Sequence, residues 1–348
     1  MAAVSWMCAL AIAVAALSYG LVGVFARWAV ARRMVDIPND RSSHHSPVPR
    51  GAGIAIVALT LMSFVSLRWF CSPGVHVVAV LGYVSGAAGV ALVGWLDDQR
   101  SRPACLRLAV HVACAVLVVG SATAVGAETG GPMGSRAVVY GVAVVWVAGL
   151  TNAYNFMDGI DGIAATQAVV AGVAWGVLGY LHDHVSLMAL GLLLASTSLG
   201  FLGHNWPPAR VFMGDVGSGF LGFSFATMAV WGGQQDWRWT AAGVLFVWPF
   251  LADTAFTLTR RLAHRENVFA AHRSHFYQRL ATTQRSHSGV TSAYASLALI
   301  GALFGLLLAA GVPGAGSWGA GAVVVLSSVV WLAVRRLERR ARVGVVSN

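Results

Sequence analysis

The chain contains no lysine. All 23 of its basic residues are arginine, which excludes a lysine nucleophile or a Schiff-base mechanism. Acidic residues are scarce, 13 in 348, and charged residues of both signs make up only 10% of the chain. A soluble domain carries about 25%. Cysteine is limited to Cys8, Cys71, Cys105 and Cys114. None of these is paired at zinc-ligand spacing and three lie in or beside apolar runs, so they read as packing residues without a disulfide framework. Short alternating segments are missing, which excludes an outer-membrane barrel. No positive charge precedes the first apolar run, and that run is too long for the core of a signal peptide. It reads as a first span that is not cleaved. No repeat of fixed period and no low-complexity segment beyond Ala/Val/Gly richness is present.

What the chain does have is apolar length. It is 57% hydrophobic, with a mean hydropathy of +0.70. This predicts an all-α integral membrane protein, built as a single polytopic membrane domain over residues 1–348. A span needs about 20 mostly apolar residues. Eleven such stretches are expected, near 4–28, 51–69, 76–95, 106–125, 137–154, 162–181, 185–203, 216–232, 239–259, 291–311 and 317–335. The net charge of +10 does not point to nucleic acid, because the arginines lie between the hydrophobic runs. Membrane topology and anionic headgroups account for them.

If the loops alternate, one side of the membrane receives 20 of the 23 arginines. The positive-inside rule makes that side cytoplasmic. The N-terminus is then outside and the basic tail at 336–348 inside. The chemically suggestive segments share the same side. They are DIPNDRSSHHSPVPRGAG (36–53), LDDQRSRP (96–103), NAYNFMDGIDG (152–162), HNWPPARVFMGDVGSG (204–219) and RRLAHRENVFAAHRSHFYQRL (260–280). The loops opposite are short and bland. The active site is therefore expected on cytoplasmic loops near 31–50, 96–106, 155–161, 204–215 and 260–290.

Five of the scarce carboxylates fall in these segments: Asp97 and Asp98, Asp158 and Asp161, and Asp215. A single one reads as a helix cap or counterion. Together they call for a hard divalent cation, Mg²⁺ above all. Asp158 and Asp161 are spaced i, i+3 and would share the first turn of a helix, where its dipole favours negative charge. Asn152 and Asn155 repeat that spacing at the end of the preceding span and are candidates to bind metal, nucleotide or sugar. FMGDVGSGF resembles a phosphate-cradling loop only loosely and is no Walker motif. HRSH, with His272, Arg273 and His275, lacks a third zinc ligand in its segment and suits phosphate recognition. Arg50, Arg41, His44 and His45 suit the same task, whereas Arg100, Arg102, Arg260 and Arg261 read as topology determinants. Asp253 lies inside a span, where an acid is a functional candidate by default; a buried structural pairing is the alternative.

In order and composition these segments resemble the polyprenyl-phosphate N-acetylhexosamine-1-phosphate transferases (glycosyltransferase family 4), specifically the branch that initiates O-antigen of lipopolysaccharide. The resemblance covers residues 36–280. It implies an enzyme of the bacterial inner membrane in cell-wall biogenesis. A UDP-amino sugar gives its sugar-1-phosphate to undecaprenyl phosphate, and UMP leaves. Asp97, Asp98, Asp158 and Asp161 match the family's essential acids. Asp215 and Asn155, with Asp98, correspond to positions that hold Mg²⁺, with Mn²⁺ as substitute. Asn152, Asn155, His272, Arg273, His275 and Arg50 fall at substrate-binding positions. RGAG stands where RGGG is commoner. HRSHFYQ departs from the HIHH form and looks more like the branch that uses 6-deoxy amino sugars. Partners implied are the UDP-amino sugar, undecaprenyl phosphate, the bilayer and a second copy in a homodimer. Two other classes compete: an ion-coupled transporter using intramembrane aspartates, and another membrane prenyl or CDP-alcohol phosphotransferase.

Overall fold

The structure is a computed structural model that describes residues 2–37, 47–71, 76–125, 133–267, 273–283 and 286–346. Arg41, His44, His45 and His272 lie outside the described residues. In chain order the elements are α1 (Ala2–Ala31), β1 (Val35–Asp36), β2 (Val48–Pro49), α2 (Gly53–Cys71), α3 (Val77–Gln99), α4 (Ala104–Val125) and α5 (Met133–Phe156). There follow α6 (Ile163–Leu181), α7 (Val185–Asn205), α8 (Asp215–Gly233), α9 (Trp237–Phe246), α10 (Trp248–Ala263), α11 (Phe276–Thr282), α12 (His287–Ala309) and α13 (Ala315–Val346).

The sequence sets helix starts as well as helix bodies. The first free N–H groups of a helix need acceptors. His76, His184, Asp236 and Ser286 supply them to α3, α7, α9 and α12. Inside the runs the backbone bonds to itself, the one arrangement a helix can carry through lipid.

All eleven apolar stretches are helical, but the count of eleven spans is not upheld. Among the described residues, eight helices are long and apolar enough to cross a membrane: α1, α3, α4, α5, α6, α7, α12 and α13. Helices α9 and α10, bent by 74°, make a ninth if taken as one broken span. The apolar part of α2, Gly53–Leu67, is short. Helix α8 falls below the others because glycine, serine and threonine dilute its apolar residues. Its environment explains why that is tolerated. Every residue from Val216 to Ala229 is buried, and α8 packs against α2 through α7 and α9. It is the axis of the bundle and meets protein where the others meet lipid.

Close approach to that axis depends on glycine. A Cβ on Gly94 of α3 would stand 2.5 Å from the carbonyl oxygen of Asp215, at the first turn of α8. Small residues allow this backbone-to-backbone packing, which drives helix association where the hydrophobic effect is absent.

A short piece of sheet organises the same end of the molecule. Strands β1 and β2 pair antiparallel. Beyond β2 the chain pairs with the segment entering α8: Phe212 N donates to Pro49 O (2.8 Å), Ala52 N to Phe212 O (3.1 Å) and Gly53 N to Met213 O (2.9 Å). Residues 49–53 are thereby fixed against 212–213 across more than 150 positions of sequence.

Candidate active site

The N-terminus of α8 is the centre of the site, and the segments singled out by sequence converge on it. Asp98, near the end of α3, accepts from the amides of Asp215 (Oδ1, 2.9 Å) and Val216 (Oδ2, 3.1 Å). It caps α8 from another helix, and Arg50 Nε adds an ion pair at 2.8 Å. Both carboxylate oxygens are thus committed, and the side chain is 1% exposed. The glycines of FMGDVGSG do not cradle a phosphate here. The first two amides of α8 are occupied by Asp98, and the next two, Gly217 and Ser218, bond back to Gly214 O.

Gly214 makes this cap sterically workable. Its φ is +76°, a backbone region that costs an L-residue about 1–2 kcal/mol. A Cβ there would also sit 2.4 Å from Asp98 Oδ2. Gly214→Ala is expected to lower the thermal unfolding midpoint in detergent and to remove activity with it. An unchanged midpoint would show that the cap tolerates a side chain.

Asp215 is held on three sides. Arg50 Nη2 contacts Oδ1 at 2.8 Å. Arg107 Nη1, from α4, meets Oδ2 and also reaches Asp97 Oδ2 at 2.9 Å. Asn155 Nδ2, at the end of α5, donates to Oδ2 at 3.1 Å, and Ser218 Oγ donates to Asn155 Oδ1 at 2.8 Å. The carboxyl groups of Asp97 and Asp215 approach within hydrogen-bonding reach of each other.

Asp158 completes the acidic side. It follows α5 in the turn before α6 and makes no side-chain hydrogen bond among the described residues. Burial raises its carboxyl to about 7, with Asp215 adding to the effect and Arg50 opposing it. Burial alone would lower the Arg50 guanidinium, but Asp98 and Asp215 beside it raise it above its ordinary value. Four carboxylates therefore surround two guanidinium groups, Arg50 and Arg107.

Other sequence candidates face elsewhere. Asp161 turns away from Asp215. Its Oδ2 accepts from Ala209 N at 3.1 Å and lies 3.3 Å from His287 Nδ1, while Thr291 donates to its carbonyl. It fastens the turn to the α7–α8 loop and to α12. Asn205 assists, accepting from Gly162 N (2.9 Å) and donating to Val211 O (2.8 Å). Asn152 donates to Ala148 O within α5. His275 is buried, with Nδ1 3.2 Å from Asp253 Oδ1. Arg273 is placed just before α11, whose Tyr277 hydroxyl donates to Phe156 O at 2.8 Å. That bond brings α11 onto the turn carrying Asp158.

Sequence reading counted Arg107 only as a topology marker. The missed signal was its position inside an apolar run. Ser218 and Tyr277 carried no such signal. One turn below Arg107, buried His111 has an Nδ1 without a partner among the described residues.

The donor set suits a small hard cation. Mg²⁺ binds through one or two carboxylates and completes its shell with water and substrate phosphates. Two carboxylates as close as Asp97 and Asp215 require a positive charge between them, which Arg107 Nη1 supplies by contacting both Oδ2 atoms. Among the described residues no group of three or more acidic, histidine or cysteine side chains is placed to hold a metal ion by itself.

Likeness to known proteins bears on the family alone and not on the metal. Residues 80–233 match glycosyl transferase family 4. The chain is similar to the probable undecaprenyl-phosphate N-acetylglucosaminyl 1-phosphate transferase of Bacillus subtilis (strain 168), with 26% identity over 88% of this chain and 82% of the relative. It is similar to the decaprenyl-phosphate N-acetylglucosaminephosphotransferase of Mycobacterium leprae (strain TN), with 29% identity over 78% of this chain and 75% of the relative. A shorter match, 37% identical over 30% of the chain and 32% of the relative, is to the phospho-N-acetylmuramoyl-pentapeptide-transferase of Streptococcus pneumoniae (strain Hungary19A-6).

Proposed function

Because residues 80–233 match glycosyl transferase family 4 and the chain is similar to polyprenyl-phosphate sugar-phosphate transferases along most of its length, we propose that it is a sugar-1-phosphate transferase acting on a membrane polyprenyl phosphate. The donor is a UDP-N-acetylhexosamine or a UDP-linked deoxy amino sugar and the acceptor is undecaprenyl phosphate. UMP leaves, and the product begins a cell-surface polysaccharide such as O-antigen. The site lies at the cytoplasmic face of the inner membrane, with the C-terminus on the same side. The observation that carries this reading is the convergence of Asp97, Asp158, Asp215 and Asn155 with Arg50 and Arg107 at one helix end.

The reaction joins a phosphate oxygen of the lipid to the phosphorus bearing the sugar and breaks that phosphorus's bond to UMP. Such transfers need positioning and charge neutralisation more than covalent help. Arg50 and Arg107 are fixed by Asp97, Asp98 and Asp215 before substrate arrives, so they need little reorganisation to meet phosphate oxygens. A phosphate monoester has its second pKa near 6, so the lipid phosphate arrives largely ionised. Asp158, with a carboxyl near 7, is placed to take its remaining proton. Arg273 stands before α11 to contact the nucleotide-sugar phosphates. Mg²⁺ would be held by Asp215 and Asp97, with Asn155 orienting Asp215, and supplies charge neutralisation to the diphosphate when bound. Asp98, committed to α8, supports this set from behind.

The transporter alternative required an available acid within the membrane. Asp253, the one candidate, is enclosed by hydrogen-bond donors, which speaks against it. The test is transfer by the full-length protein from a panel of labelled UDP-amino sugars to undecaprenyl phosphate. A lipid-linked diphosphate and UMP are expected, lost on chelation and restored by Mg²⁺. Absence of product with every donor, from folded protein, overturns the assignment. CMP or diphosphate release would mean a CDP-alcohol or prenyl enzyme.

A further inference from the structure

Asp253 sits on α10 beyond the 74° bend and is 2% exposed. A buried carboxylate is costly unless its oxygens are saturated. Here they are. Oδ1 accepts from Phe276 N (2.9 Å) and Thr257 Oγ1 (3.2 Å) and lies 3.2 Å from His275 Nδ1. Oδ2 accepts from Tyr277 N (3.1 Å) and the Tyr294 hydroxyl (2.6 Å). Two of these donors are the opening amides of α11, so Asp253 caps that helix from α10. Tyr294 extends the network to α12.

Helix α11 is seven residues long, too short to persist without outside support. Its position is fixed at two points. One is the Asp253 cap. The other is Tyr277, whose hydroxyl bonds Phe156 O and fits against Gly159, where a Cβ would stand 2.2 Å from that hydroxyl oxygen. Phe156 and Gly159 flank Asp158. The carboxylate on the bent helix is therefore linked, through two amides and one phenol, to the turn that carries an acid of the site. His275 faces inward as part of this link, which leaves Arg273 at its outer end.

We propose that Asp253 is a positioning residue: it seats α11 on the Met157–Gly162 turn and so sets the placement of Arg273 over the phosphates of the nucleotide sugar. This rests on the transferase reading above, but the seating itself is measurable without turnover. The position of α11 is then tied to α10, so a displacement of the bent helix moves Arg273 relative to Asp158.

Three variants of the full-length protein test this. Asp253→Asn retains volume and an acceptor but loses the charge and places an amide against the amides of α11. Tyr277→Phe removes only the contact to Phe156. The third combines them. Hydrogen–deuterium exchange in detergent should show faster exchange of the 276–282 amides in Asp253→Asn, with α6 and α7 unchanged. In transfer kinetics, KM for the nucleotide sugar should rise about tenfold, as loss of charge-assisted hydrogen bonds implies, while KM for undecaprenyl phosphate stays within about twofold. The double variant should be no worse than the worse single, because α11 is seated only while both anchors hold. Unchanged exchange at 276–282 overturns the seating. Faster exchange with an unaltered KM for the nucleotide sugar overturns the positioning role. Equal loss for both substrates, or additive effects, assigns Asp253 to general stability and also overturns it. Should the wild-type chain transfer no sugar at all, the transferase reading fails, and the exchange data alone decide whether Asp253 seats α11.

Discussion

Asp215→Asn is expected to reduce sugar-phosphate transfer by about a hundred- to a thousandfold, the range seen when one preorganised electrostatic group is removed from an active site. The amount of folded protein should change little. Asparagine keeps one oxygen for Arg50 or Arg107 and keeps the backbone that Asp98 caps. It loses the second anionic oxygen, which Arg107 and Asn155 share, and with it the anionic ligand proposed for Mg²⁺. The measurement is initial rate at saturating donor, with Mg²⁺ varied over a wide range. A rate recovered by high Mg²⁺ would locate the defect in metal affinity. Full activity at ordinary Mg²⁺ would remove Asp215 from the site.

The adjacent acids Asp97 and Asp98 should separate in a second experiment. Asp98→Ala leaves two amides of α8 and the buried side of Arg50 without their acceptor. Each unsatisfied group costs about 1–3 kcal/mol, so both the unfolding midpoint and the rate should fall sharply. Asp97→Ala removes an acceptor for Arg107 and for the exposed Arg102 amide. The rate should fall by a similar factor with only a small change in the midpoint. If Asp98→Ala unfolds at the wild-type temperature, its capping role is wrong. If Asp97→Ala keeps full activity, Asp97 is no part of the catalytic set.

That separation marks the limit of what the residues disclosed. Apolar runs follow local pattern, so the helices were legible, though not how many of them span. The pairing of a few acids with apolar edges was legible too, because charge is rare in this chain and its placement costly. Which of two neighbouring aspartates turns toward a helix end depends on rotation about α3, set by Gly94 against Asp215 and Val216. Asp253 was visible as an anomaly, but apart from Thr257 one turn on, its partners lie 22 to 41 positions away, with no periodicity to connect them. Arg107 looked like every other arginine near a membrane surface. The pairing of residues 49–53 with 212–213 has no signature at all in either segment.

The low hydropathy of α8 has a consequence for how the protein is made. A segment so rich in glycine and hydroxyl groups partitions weakly into a bilayer alone, and its partners α2 through α7 all precede it in the chain. The expected order of assembly follows: the earlier helices form the receptacle into which α8 docks, and α9 closes on it afterwards. Asp215 reaches Arg50 and Arg107 only at that docking step. A nascent chain halted before α8 holds two half-buried arginines without their shared acceptor.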